Sequence, residues 1–147
     1  MSARQAPATR ADFVAFYDLQ TRWSDNDAYG HMNNAVYYSL FDTAVNGWLI
    51  DRGLLNPKQS DTYGLVVETG CKFHAEIGFP DPLTAGLRVS SLGNSSIRYE
   101  IALFQGDQDQ AAAEGFFVHV YVDRATHRPV RIDDARRAAL TTLMRPE

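Results

Sequence analysis

Apolar and polar residues alternate along much of this chain, beginning near Phe13. In the first alternating segment, one face carries apolar or aromatic residues and the other carries polar ones. The positions on the more apolar face are Tyr17, Leu19, Thr21 and Trp23. A period of two is typical of a strand with one buried face, so the pattern predicts a strand that runs to Trp23.

The longest apolar segment has a different period. Between residues 35 and 50, apolar residues recur in adjacent pairs four positions apart, and few polar residues interrupt them. This spacing predicts a long helix whose apolar stripe is wide enough to be covered on most sides. The side-chain oxygen of Asn33 or Asn34 can cap its first turn, and Gly53 can end it.

Four more strands are predicted after the helix, from alternating segments at 65–74, 83–90, 97–103 and 113–122. The last of these is apolar on both faces, which favours a position inside the sheet. Asp133 then caps a short C-terminal helix that extends to residue 144. One strand, one long helix and four strands joined by turns predict the α+β class, with one antiparallel sheet curled around one central helix.

The two apolar faces of segment 113–122 also predict self-association. A sheet of this size covers one side of a helix and leaves much of its own outer face and rim open to a partner. A stable interface buries about 800 Å² on each partner, and a two-fold dimer is the simplest closed arrangement. We therefore expect a homodimer, and sedimentation as a dilute monomer would contradict this expectation.

Composition and charge exclude several classes of protein. The 147 residues fit one domain, residues 1–147, in which residues 1–12 form a flexible N-terminal tail. The net charge of -4 argues against nucleic acid as a partner. No segment approaches the ~20 apolar residues of a membrane span, and no apolar signal region is visible, so we expect a cytoplasmic protein with no membrane partner. The single cysteine, Cys71, excludes an internal disulfide, and we expect it to be a buried apolar residue.

Chemistry-bearing side chains concentrate at the junction between the first strand and the helix, residues 21–34. They are the carboxylates of Asp25 and Asp27, the imidazole of His31, and the amides of Asn33 and Asn34. Because a helix start carries unpaired N–H groups and a partial positive charge, a carboxylate aimed at the same point makes a candidate active site. Partial burial beneath the helix would strengthen Asp27 as a base, and we expect Asp25 to be a turn residue.

Other uses of these groups are less well supported. The D-x-D-x-x-G string suggests a calcium loop, but the twelfth position counted from Asp25 is Val36 rather than glutamate. The two aspartates and His31 could together hold a divalent metal, which we rank far below the catalytic interpretation. We predict no metal and no cofactor. The other histidines lie in predicted strands or a turn without an obvious acid or nucleophile nearby, so we expect a structural role for His74, His119 and His127.

Residues 22–37 match, in outline, the pattern R-x-x-D-x-D-x-x-G-H-x-N-N-x-x-Y. In this motif the chain resembles hotdog-fold acyl-CoA thioesterases, and within them the 4-hydroxybenzoyl-CoA thioesterase-like group. Shorter matches at 67–73, 93–96 and 120–124 follow in the expected order. The resemblance implies a hotdog fold, with a five-stranded sheet around one long helix. It also implies hydrolysis of a small acyl-CoA to free acid and CoA, and homodimers that pair into homotetramers with active sites at the subunit interface.

The resemblance also implies roles for individual residues. Asp27 matches the catalytic carboxylate, which acts as general base on a water or as nucleophile on the thioester carbonyl. His31 and Asn33 match the part of the motif that shapes the loop and positions the carboxylate or the substrate. The backbone N–H of Asn34 matches the group that faces the thioester oxygen. The further substrate-binding residues that we predict are Tyr37, Glu68, Thr69, Ser95 and Arg98.

Glu68 points away from the apolar face of its strand, and the resemblance implies that this strand lines the site of the partner subunit. The turn at 91–96 differs from relatives that grip coenzyme A phosphates with basic residues there, because it has none before Arg98. The way in which the CoA phosphates are bound is therefore open.

Three function classes remain open. The first is an acyl-CoA thioesterase with Asp27 as base. The second is a hotdog hydratase or dehydratase, although the chain lacks the Gly-Asp-x-Asn-Pro-x-His string of such enzymes. The third is a non-catalytic protein that binds acyl thioesters in the same pocket. A serine hydrolase is disfavoured because no glycine-elbow motif surrounds Ser95 or Ser96.

Overall fold

One antiparallel sheet wraps a long helix in the computed structural model, which describes residues 6–144. Its strands are β1 (Ala15–Leu19), β2 (Thr62–Phe73), β3 (Leu83–Leu92), β4 (Ser96–Gln105) and β5 (Ala113–Asp123). Its helices are the long α1 (Asn34–Asp51) and the short α2 (Asp134–Thr141). The predicted α+β class and the central helix are confirmed.

The strand order across the sheet is β1-β3-β4-β5-β2. All neighbours are antiparallel, and β5 pairs with β4 on one side and with β2 on the other. The prediction that the doubly apolar strand lies inside the sheet is therefore confirmed. The two edges are unequal, because β1 has 5 residues and β2 has 12.

The long helix starts and ends where the sequence predicts. The Oδ1 atom of Asn33 accepts a hydrogen bond from the Ala35 N–H at 2.9 Å, so Asn33 is the N-cap. Gly53, with φ of 70°, lies just beyond the last turn in the left-handed region that favours glycine. The buried side chains of α1 are Tyr37, Leu40, Phe41, Ala44, Val45, Trp48 and Leu49. They form the predicted wide stripe and pack against the concave face of the sheet.

The first strand is shorter than predicted. β1 ends at Leu19, and Trp23 begins a short 3-10 turn with 76% of its surface exposed. The turn forms because the Asp25 carboxylate accepts hydrogen bonds from the Arg22 N–H and guanidinium, each at 2.8 Å. These bonds lower the pKa of Asp25 and hold it buried. The turn role predicted for Asp25 is confirmed, whereas the strand assignment of Trp23 is wrong.

The predicted N-terminal tail lies partly outside the described residues, which begin at Ala6. Its residues from Ala8 to Asp12 are part of the fold. Arg10 and its neighbours form a 3-10 turn, and the Arg10 guanidinium donates to the carbonyls of Gln108 and Gly106. The prediction of a flexible tail is therefore wrong for these residues, because hydrogen bonds attach them to the β4–β5 turn.

The short helix α2 starts at its predicted cap, since Asp133 Oδ1 accepts from the Arg136 N–H at 2.8 Å. It ends at Thr141, three residues before the predicted end.

Cys71 is only half-buried, and burial raises the pKa of its thiol to about 11, so it is protonated at neutral pH. Neither α1 nor α2 is long and apolar enough to cross a membrane, and the described residues contain no other helix that is.

Candidate active site

Asp27 is held by the turn that it occupies. Its Oδ1 atom accepts hydrogen bonds from the N–H groups of Tyr29 at 2.8 Å and His31 at 3.2 Å. Its own N–H donates to the His31 carbonyl at 2.7 Å, and Gly30 supplies the positive φ of 80° that closes the turn. Within the described residues, Oδ2 has no hydrogen-bond partner. One carboxylate oxygen is thus fixed and the other is available.

The start of α1 is attached to this turn by backbone hydrogen bonds. The Asn33 N–H donates to the Asp25 carbonyl at 3.0 Å, and the Met32 N–H donates to the Ile77 carbonyl at 2.8 Å. The Asn34 N–H finds no acceptor among residues 6–144. An unpaired donor and the positive end of the helix dipole therefore lie beside the Asp27 turn.

A cleft of about 320 Å³ opens at this junction. It is lined by Asp27, His31, Met32, Asn34, Tyr37, Phe73, His74, Ala75 and Glu76. The fold thus brings together four of the predicted site residues, two from the turn and two from the first turn of α1. Asn33 is not in the lining, because its side chain is used to cap the helix.

The walls of the cleft differ in polarity. On one side, His31 Nε2 lies 2.9 Å from Glu76 Oε2, and both side chains are largely exposed. On the other side, the buried ring of Tyr37 packs edge-on against Phe73, with ring centroids 4.8 Å apart. Burial raises the pKa of Tyr37, so its hydroxyl stays neutral at physiological pH. The cleft can hold an apolar group against one wall and a polar one against the other.

The other predicted binding residues lie outside this cleft in the single chain. Glu68 and Thr69 are exposed on β2, where Thr69 Oγ1 donates to the Phe116 carbonyl at 2.8 Å. Arg98 lies on the outer face of the sheet, 3.9 Å above the centre of the Phe116 ring. Ser95 lies in the β3–β4 turn, and its carbonyl accepts from the backbone of β5. The assignment of these residues to a substrate stays a prediction.

Sequence reasoning missed His74 as part of the site. Its Nε2 atom lies 2.6 Å from Glu114 Oε2, and the imidazole lines the cleft. The prediction that His74 has no acid nearby is wrong, because the pairing of β2 with β5 brings in a carboxylate 40 residues away. The only local signal was His74-Ala75-Glu76, two titratable residues directly after a strand.

Asp27 is exposed in the single chain and does not lie buried beneath the helix. The physical reason is that hydrogen bonds to its own turn hold the carboxylate at the protein surface.

Within the described residues, no group of three or more His, Cys, Asp or Glu side chains could hold a metal ion.

Residues 21–140 match the model of one protein family, described as the thioesterase-like superfamily. The chain belongs to the thioesterase-like superfamily. The matched segment includes the Asp27 turn, all of α1 and the four strands that follow it, so it spans the whole candidate site of this thioesterase-like protein. The proposed place within the 4-hydroxybenzoyl-CoA group stays a prediction.

Solved structures agree with this family assignment. The PA5185 protein from Pseudomonas aeruginosa strain PAO1 is 48% identical, with a TM-score of 0.91, and the match covers 94% of this chain and 96% of that one. A thioesterase from Thermus thermophilus, solved with coenzyme A and Zn, is 26% identical, with a TM-score of 0.74 and coverage of 89% and 95%.

A third structure shows the shared fold alone. The 1,4-dihydroxy-2-naphthoyl-CoA thioesterase Slr0204 from Synechocystis is 17% identical, with a TM-score of 0.78 and coverage of 86% of this chain and 94% of that one. The hotdog fold expected from the sequence is therefore confirmed for this thioesterase-like protein. Among curated proteins, none is significantly similar to the chain.

Proposed function

We propose that this thioesterase-like protein hydrolyses the thioester of a small acyl-CoA to the free acid and CoA. One observation carries the proposal: the available Oδ2 of Asp27 and the unpaired N–H of Asn34 belong to residues that line the same cleft. Thioester hydrolysis requires both groups, because a water must be made nucleophilic and a developing oxyanion must be stabilised.

In the proposed reaction, the thioester carbonyl oxygen accepts a hydrogen bond from the Asn34 N–H. Asp27 Oδ2 removes a proton from a water while the water oxygen forms a bond to the carbonyl carbon. The tetrahedral intermediate carries its negative charge on the oxygen that faces the helix start. When the intermediate collapses, the carbon–sulfur bond breaks and the thiolate leaves, and it receives the proton held by Asp27. Direct attack by the Asp27 carboxylate is the alternative first step.

Two imidazoles have secondary roles in this proposal. The backbone N–H of His31 donates to the Asp27 carboxylate and fixes it. The His31 imidazole pairs with Glu76 at the rim of the cleft. His74 is held by Glu114 in the cleft wall. Neither group is needed as a nucleophile, since a thioester has a good leaving group.

Coenzyme A is proposed as the carrier of the acyl group. A Thermus thermophilus thioesterase of 26% identity was solved as a complex with coenzyme A, which supports this choice. The test is release of free thiol, followed spectrophotometrically over a panel of acyl-CoAs that differ in length and aromaticity. We expect hydrolysis of at least one member. Tight binding of acyl-CoA with no thiol release would instead favour a non-catalytic binding protein, and hydration of an enoyl-CoA would favour the hydratase class.

We also propose a two-fold homodimer, built through the β2 edge of the sheet. β2 is a long edge strand, and it exposes apolar side chains along its length: Leu65, Val66, Val67 and Phe73. A long, apolar, unpaired edge is a template for pairing with another strand. Two copies related by a two-fold axis would pair their β2 strands antiparallel and extend one sheet across both subunits. Two such dimers, packed through their outer faces, would form the expected tetramer.

Replacing Val67 by Lys is expected to convert the dimer to monomers at micromolar concentration. Val67 is the extra residue of a β-bulge and is 60% exposed in the single chain, so the lysine costs the monomer little. Sedimentation velocity measures the result. The matched control is Val14→Lys, an exposed valine next to the opposite edge of the sheet, which should leave the dimer intact. Equal dimerisation of both variants would contradict the β2 interface.

A further inference from the structure

A second cleft, of about 290 Å³, lies at the far end of α1. Its lining comes from the end of α1, the loop that follows it, and strands β2 and β5: Asn46, Leu49, Leu55, Pro57, Tyr63, Gly64, His119, Tyr121 and Arg124. Asn34 and Leu49 are separated by about four helical turns, so this cleft is about 20 Å from the candidate active site of the same chain. Most of its lining is apolar or aromatic.

The lining of this second cleft includes a buried histidine, His119. Its side chain is 3% exposed, and its Nε2 atom has no hydrogen-bond partner among the described residues. Its ring is stacked on Phe117 at 5.7 Å and is packed edge-on by Tyr99 at 5.2 Å, which fixes its orientation. Burial lowers its pKa to about 4, so the imidazole is neutral and offers one donor and one acceptor.

Two neighbouring features shape the cleft around the imidazole. A Cβ atom added at Gly64 would lie 2.8 Å from His119 Nδ1, so only glycine at this position leaves room for the ring. The Arg124 guanidinium donates to the carbonyls of Pro57 at 3.1 Å and Ser60 at 2.5 Å, which holds the loop that forms one wall. A buried imidazole without a partner, a glycine opposite it and a clamped wall are the features of a built binding site.

The second cleft and the candidate active site lie at opposite ends of β2. Tyr63 and Gly64, near the start of β2, line the second cleft, and Phe73 at its end lines the candidate site. In an antiparallel pair of β2 strands, the start of one strand lies beside the end of the other. In the proposed dimer, the second cleft of one subunit therefore adjoins the candidate active site of its partner.

We propose that His119 is a specificity-determining residue that binds the distal end of the acyl group and selects acyl chains ending in an uncharged hydroxyl or carbonyl. This inference rests on the proposed thioesterase function and on the proposed dimer. A neutral imidazole in a largely apolar cleft can hydrogen-bond a neutral oxygen, whereas a purely apolar group leaves it unpaired.

Charged acyl ends fit the second cleft less well. Within the lining, a carboxylate would find a cationic partner only at Arg124, whose side chain is exposed and already donates to the carbonyls of Pro57 and Ser60. An ammonium group would lie near the same arginine and be repelled. No carboxylate side chain lines this cleft to compensate either charge. The chemistry of the lining thus favours an uncharged polar end.

The test compares pairs of acyl-CoAs that differ only by a hydroxyl and a methyl group. One aliphatic pair is 6-hydroxyhexanoyl-CoA and heptanoyl-CoA, and one aromatic pair is 4-hydroxyphenylacetyl-CoA and 4-methylphenylacetyl-CoA. We expect the wild-type protein to prefer the hydroxyl member of at least one pair by tenfold or more in kcat/KM. His119→Phe keeps the aromatic packing and loses the hydrogen bond, so the ratio should fall to about one. His119→Gln should retain part of it.

The ratio within a pair is insensitive to a loss of folded protein, which lowers both rates equally. A wild-type ratio near one for both pairs, or an unchanged ratio in His119→Phe, would overturn the inference while leaving the thioesterase function intact. If no acyl-CoA is hydrolysed, the proposed function fails instead. The selectivity is then read from Kd values of the same pairs, measured by calorimetry on Asp27→Asn, and equal Kd values would overturn the role of His119.

Discussion

Replacing Asp27 by Asn is expected to lower kcat/KM for acyl-CoA hydrolysis by about a thousandfold, within the range of general base catalysis. The amide keeps an Oδ1 atom that can accept the N–H groups of Tyr29 and His31, so the turn should persist. It replaces Oδ2, the available oxygen, by an NH₂ group that cannot take a proton from water. Steady-state kinetics of thiol release measure the loss, which should fall on kcat while KM changes little.

The matched control for this variant is Asp107→Asn. Asp107 is an exposed aspartate in the β4–β5 turn, outside the candidate cleft, so the same change of charge there should leave kcat/KM within twofold. Thermal melts of both variants verify that the fold is retained. If Asp27→Asn is as fast as the wild type, then Asp27 is neither base nor nucleophile and the proposed mechanism is incorrect.

Replacing Gly115 by Ala is expected to destabilise the fold by about 2–3 kcal/mol and to lower Tm by roughly 5–10 °C. Gly115 lies on β5, and a Cβ atom there would overlap Cε2 of Phe41. Phe41 is fully buried in α1 and packs edge-on against Phe117, with centroids 6.4 Å apart, so its ring has little room to move. Differential scanning calorimetry on the purified variant measures the shift.

The mechanism predicts a specific rescue. The double variant Gly115→Ala/Phe41→Leu shortens the side chain that the new methyl group meets, so the two changes should be less costly together than the sum of the single variants. A double-mutant cycle from denaturant unfolding gives this coupling. Strict additivity would show that the loss at Gly115 comes from the backbone rather than from contact with Phe41.

Local patterns in the sequence were sufficient to predict most of the fold. The paired apolar spacing predicted α1, the amide of Asn33 predicted its cap, and the doubly apolar segment predicted an interior β5. These features depend on residues close together in the chain, or on a burial pattern that each element carries itself. The error at Trp23 has the same origin, because alternation alone does not reveal that Arg22 and Asp25 close a turn there.

Some residues of the candidate site and of the second cleft could be recognised from the sequence, and others could not. The motif around Asp27 and Asn34 was recognisable because its residues are adjacent in the chain, and the capped helix start then follows from local geometry. The carboxylate of Glu114 beside His74 and the glycine opposite His119 were not recognisable. Each results from the register between β2 and β5, two strands that are far apart in sequence.

The sequence by itself determined the class of fold, the ends of the central helix and the turn that holds Asp27. Only the tertiary structure decided that Asp27 lies exposed, that β2 is an apolar edge, and that His119 is buried without a partner among the described residues. The physical reason is that periodicity and capping are local, whereas burial and cross-strand pairing depend on which distant segments pack together.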